Sequence, residues 1–148
     1  MTSLRDQLGT APKREAVIQD ACQVLDQEVG DKSGISGLAI KGAYKLVQGV
    51  KPGFIRQVVD HLLDEFLDAL NPLYEEAVAK GQRPGTFLLS SQGRVADALL
   101  QVTDNRAAKT EGSTVKKAYE KLRPSAKKHV EAAAPRLAQM LDRHAPAS

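Results

Sequence analysis

Apolar side chains recur at helical spacing along most of the chain. Over 12–29, Val17, Ala21 and Val24 alternate with Ile18, Cys22, Leu25 and Val29, the i, i+3, i+4 recurrence of an amphipathic helix. Thr10-Ala11-Pro12 supplies a cap and a preset φ at its start, and Gly30 marks its end. From Phe54 to Leu70 a wide apolar arc (Val58, Val59, Leu62, Leu63, Phe66, Leu67) faces a polar one (Arg56, Gln57, Asp60, His61, Asp64, Asp68). Asn71-Pro72 is expected to stop that helix and open a short one to Lys80, with Gly81-Gln82-Arg83-Pro84-Gly85 as a loop. A further helix runs to Ala108 from Thr86 or Ser91. After Thr110-Glu111-Gly112-Ser113, apolar positions from Val115 to Leu141 keep steps of three or four through both Pro124 and Pro135. Proline clashes with the carbonyl four residues earlier, so a sharp break is expected at Arg123-Pro124 and a milder one at Ala134-Pro135.

Residues 33–50 stand apart. After Ser36 their polar side chains are Lys41, Lys45 and Gln48, spaced i, i+4, i+7, so a helix here would show a thin wet stripe and bury the rest. That pattern predicts the central helix. Each interior glycine costs up to about 1 kcal/mol against alanine, a cost tolerated where another backbone approaches closely. Gly34, Gly37 and Gly42 are therefore expected to be contact points for crossing helices. Gly34-x-x-Gly37 lacks the Gly-Lys-Ser/Thr ending of a phosphate-binding loop, and no β-rich segment precedes it. No alternating run of strand length occurs. The fold class expected is all-α, a compact bundle of about six to eight helices around the Gly-rich apolar helix at 33–50, in one domain over 1–148 with frayed ends at about 1–3 and 144–148.

Composition narrows the chemistry. The 148 residues are 42% hydrophobic and 26% charged, as in an ordinary globular protein, but only 4% aromatic with no Trp. Stacking sites for bases or sugars are therefore poorly supplied, and aliphatic residues must build the core. A single cysteine excludes a disulfide framework, and Cys22 lies in an apolar stripe, where it reads as a small buried hydrophobe. No apolar run reaches the roughly 18 residues of a spanning helix, and the amino end lacks a signal peptide's apolar stretch, so a cytoplasmic protein without a membrane span is expected.

Candidate catalytic chemistry is sparse. His61, His129 and His144 have no flanking nucleophile motif, and His144 sits where the chain is expected to fray. His61 with Glu65, and Asp60 with Asp64, are spaced i, i+4, yet the Glu-x-x-His pairs of a helical di-iron site are absent, so this reads as a solvated acidic face. No catalytic, cofactor or metal-binding residue is expected, and no enzyme.

The net charge of +3 conceals two poles. Residues 57–79 carry Asp60, Asp64, Glu65, Asp68, Glu75 and Glu76 with no Lys or Arg, whereas ten basic residues against four acidic ones follow Asn105. Lys116, Lys117, Lys121, Arg123, Lys127 and Lys128 form a candidate basic surface for nucleic acid or an anionic surface. They spread over a whole exposed half without interleaved aromatics, which favours another arrangement: Lys116, Arg123 and Lys127 folding back to relieve the like-charge ladder Asp60, Asp64, Asp68.

The stretch from Asp31 to Lys45, with Lys51-Pro52-Gly53-Phe54-Ile55 after it, resembles a group of small all-helical bacterial proteins without an assigned function. The likeness covers residues 10–75 and implies an all-helical bacterial domain. Function is expected to be non-enzymatic: a helical binding or scaffold module acting by self-association or on a protein partner. The alternatives are an apolar small molecule, lipid or acyl, held where helices rich in Leu, Val and Ala part around the glycine-thinned helix, or an anionic partner on the basic carboxyl-terminal helices.

Overall fold

The computed structural model describes residues 3–109 and 113–145, so that most of the Thr110-Glu111-Gly112-Ser113 junction lies outside the described residues. Among the described residues the chain forms eight helices and no strand: α1 (Leu4–Leu8), α2 (Lys13–Asp31), α3 (Gly34–Gln48), α4 (Phe54–Ala79), α5 (Pro84–Ser90), α6 (Gln92–Lys109), α7 (Ser113–Ala132) and α8 (Ala134–His144). The all-α expectation holds. Its centre does not lie where the glycines are.

The hub is α4, which packs against α1, α2, α3, α5 and α6. Its Leu62, Leu63, Leu67, Leu73, Tyr74 and Ala77 are buried, so the wide aliphatic arc serves several neighbours at once. The helix runs through Asn71-Pro72 instead of stopping there. Asn71 does not cap a new helix: its Oδ1 accepts the backbone N–H of Leu4 at 2.9 Å and its Nδ2 donates to Glu75, tying α1 to α4. Burial on both sides of Pro72 outweighs the one helical hydrogen bond that proline removes. The end of α4 is set by Gly81, at φ +68°. There the N–H of Gln82 reaches the Ala77 carbonyl (2.9 Å) and that of Gly81 the Val78 carbonyl (3.1 Å), the paired bonds of a Schellman cap.

In contrast α3 lies at the periphery, packed on α7, α2 and α4, with Gly37 and Ala43 its buried residues. Ile35 is 91% exposed and Leu38 70%. Its glycines are not crossing points. Around Gly34 and Gly42 no atom lies within 4 Å of where a Cβ would stand; at Gly37 a Cβ would meet the Lys32 backbone at 2.8 Å, a contact with the chain just before the helix. Gly34, at φ +75°, serves the turn out of α2. The close helix approach belongs to Gly85, where a Cβ would stand 2.7 Å from the Ala138 carbonyl; its N–H instead donates to Asp142 at 2.9 Å, joining α5 to α8.

Helix ends differ from expectation at three further points. α2 continues through Gly30 to Asp31, and Thr10 donates its hydroxyl to the Asp6 carbonyl rather than capping α2. α7 runs unbroken through Pro124, and the break falls at Ala133, where Pro135 sits in the opening turn of α8. Lastly, of the ends expected to fray, 1–2 and 146–148 lie outside the described residues, and Ser3 and His144 make hydrogen bonds. Ser3 Oγ accepts the N–H of Asp6, His144 Nε2 lies 2.8 Å from Asp20, and Ala145 is fully buried.

Candidate functional site

The packing of α2, α4, α6, α7 and α8 leaves a cavity of about 420 Å³. Its wall is aliphatic, with Val24, Leu63, Leu67, Val95, Leu99 and Leu137 among the lining side chains, and Ile40 is the residue α3 contributes. The composition explains the space: with three Phe and no Trp, the helices meet through Leu, Val and Ala, and Phe66 is the phenylalanine on the wall. Close-packed interiors rarely hold voids much larger than a water, whereas small-molecule sites span roughly 300–1,000 Å³.

Charged residues border one corner of the cavity, although its surface is almost wholly apolar. The end of α2 brings Glu28 and Lys32 to the cavity, with Lys32 Nζ 3.1 Å from Glu28 and both side chains only 12% exposed. From α8, Arg136 Nη1 donates to the same Glu28 at 2.7 Å and Arg136 also pairs with Asp31. Lys32 Nζ further donates to the backbone carbonyl of His129 at 3.3 Å. His129, on α7, is another lining residue, and its Nε2 is closed off from solvent and has no hydrogen-bond partner. Burial, helped by the nearby charges of Lys32 and Lys128, pushes the His129 pKa below its ordinary 6.5 and favours the neutral ring. A buried nitrogen without a partner costs stability.

The charged residues singled out from sequence occupy different places. Asp60, Asp64 and Asp68 do not meet α7. Arg14 donates to Asp60 and Asp64 at 2.8 Å, and Arg5 to Asp68 at 2.9 Å, so the acidic ladder is relieved by α1 and α2, the helices α4 packs on. Arg123 grips Asp104 at 2.8 and 3.1 Å, and Lys127 lies 3.1 Å from Asp97, so these two members of the candidate basic surface pair with α6, the antiparallel neighbour of α7. Asp104 also accepts from Tyr119 at 2.5 Å, and these bonds, Arg123 foremost, hold its carboxyl below the usual range. Lys117, Lys121 and Lys128 remain exposed, and Lys116 is half-buried. The structure does not gather the six cations into one free patch.

Cys22 is half-buried against the core, and burial raises its thiol pKa despite the charge of Arg56. Among the described residues no cluster of His, Cys, Asp and Glu could hold a metal ion, and no helix is long and apolar enough to cross a membrane.

The class defined by these features is an all-helical protein with an aliphatic cavity, partly open to solvent, and a cluster of charged residues at its edge. The chain belongs to a family of unknown function, DUF6918, whose model matches residues 4–145. That span extends well past the 10–75 stretch that carried the resemblance. Comparison with curated proteins and with solved structures found no match.

Proposed function

We propose that the protein binds a single-chain amphiphile of the acyl class, its chain in the cavity and its head at Lys32 and His129. The observation that carries this reading is the about 420 Å³ aliphatic space itself, with Lys32 and His129 among the residues that line it. A wall this aliphatic, and a space of this size, suit a hydrocarbon chain. The reading draws on the second of the sequence expectations and places the protein among non-enzymatic binders, in a bacterial cytosolic setting. It makes no use of a protein partner.

A fluorescent polyene fatty acid should bind saturably with one site per chain and be displaced by unlabelled fatty acids. Ala126 lines the cavity beside Leu122 and Val130, so Ala126→Leu should fill part of the space and lower the affinity about tenfold or more while helicity is kept. Absence of saturable uptake by the unmodified protein would overturn the reading.

A further inference from the structure

We infer that the outward face of α3 docks on an anionic lipid surface. At about 100° per residue, Ile35, Leu38, Gly42 and Leu46 fall in one arc of about 80°. Ile35 is 91%, Leu38 70% and Leu46 57% exposed, and Val50, just past the helix, is 45% exposed. Lys41 and Lys45 flank that arc on one side, and Lys51 follows it, its Nζ over the Phe54 ring at 5.9 Å. From residue 32 to residue 59 the chain has five Lys or Arg and no acidic residue. An apolar stripe bordered by lysines is the pattern of a helix that lies in the headgroup region of a membrane, where the chains bury and the ammonium groups stay at the phosphates. Gly42 adds a flat place to the stripe, with nothing within 4 Å of where its Cβ would stand.

Charge decides the occupant. A second copy meeting this face through a two-fold axis would set Lys41 and Lys45 against their own equivalents. The acidic ladder Asp60, Asp64 and Asp68 is already taken by Arg5 and Arg14. An anionic bilayer supplies both halves of the match, charge for the lysines and hydrocarbon for Ile35, Leu38 and Leu46. The proposal stands on the outward face alone and holds whether or not the cavity is filled.

Flotation with vesicles tests it. The protein should partition onto phosphatidylcholine vesicles containing phosphatidylglycerol at low salt, and should be released from them at high salt. Lys41→Gln with Lys45→Gln and Lys51→Gln should weaken partition about a hundredfold, and Leu38→Ser with Leu46→Ser about tenfold or more. All five positions are outside the buried core, so circular dichroism should stay unchanged. Failure of the unmodified protein to float with anionic vesicles would overturn the proposal, as would undiminished binding by the Leu38→Ser, Leu46→Ser variant. Equal binding to soluble polyglutamate would point to an acidic protein instead, and a dimer in light scattering that Leu46→Ser dissociates would point to a second copy; either result refutes the lipid assignment.

Discussion

At the scale of single residues, two titrating side chains test the packing in separate pH windows. His129 is held neutral by burial, so between its folded pKa and 6.5 the unfolded chain binds more protons than the folded one. Its contribution to stability is complete above 6.5 and falls as pH drops through that value, and His129→Leu should remove the dependence. The same change should be neutral to stabilising by about 1 kcal/mol, because it deletes an unsatisfied buried nitrogen, while weakening amphiphile binding; denaturant melts at several pH values and a ligand titration measure both. Asp20 works on another window. Its burial would raise the carboxyl pKa, but hydrogen bonds from Arg143 and His144 outweigh that and lower it below 3.8. The stability it provides is therefore present above about 3.8 and lost as pH falls through the lower folded value. Asp20→Asn should loosen α8 at neutral pH, seen as faster exchange of its amide hydrogens, and the difference from the unmodified protein should vanish in acid. Neither role is legible in the sequence: His144 stands close to the chain end, and only the fold brings Asp20 to it.

At the scale of elements, periodicity revealed which segments are helical, and stopped there. The 54–70 arc was readable because nine apolar positions share one phase, and the width of that arc reflects the hub position of α4. Glycines and prolines misled because their effect depends on neighbours. Pro72 and Pro124 are tolerated inside α4 and α7, whereas Pro135 coincides with a true break after Ala133. Likewise Gly85 stands where α5 touches α8, and the glycines of α3 face open space or the chain just before it. Gly85→Ala should therefore destabilise by about 1–3 kcal/mol through overpacking against the Ala138 carbonyl and Asp142. Gly42→Ala, in an exposed helix interior, should stabilise by about 0.5–1 kcal/mol. Thermal or urea unfolding of the pair checks the contrast, and a reversed order would contradict the packing described for α3. Charge pairing follows the same logic: which acid meets Lys127 is decided by the α6–α7 hairpin, information that net charge by segment does not contain.

At the scale of the whole molecule, the cavity is the consequence of a bundle built almost without large aromatics. Individual lining positions such as Leu63, Val95 and Leu137 look like ordinary core from sequence, and they do belong to or pack against the hydrophobic core while also lining the cavity. The charged corner was equally hidden, since Glu28, Lys32, His129 and Arg136 come from α2, α7 and α8, more than 100 residues apart at the extremes. The acyl-binding account rests on the space: an aliphatic cavity of about 420 Å³ that a hydrocarbon chain would fill. Native mass spectrometry of the protein as purified tests that account most directly. The account predicts the 16.0 kDa chain carrying one single-chain amphiphile, or taking up one equivalent of added fatty acid and losing that capacity on Ala126→Leu. A bare chain that takes up none at any concentration would contradict it.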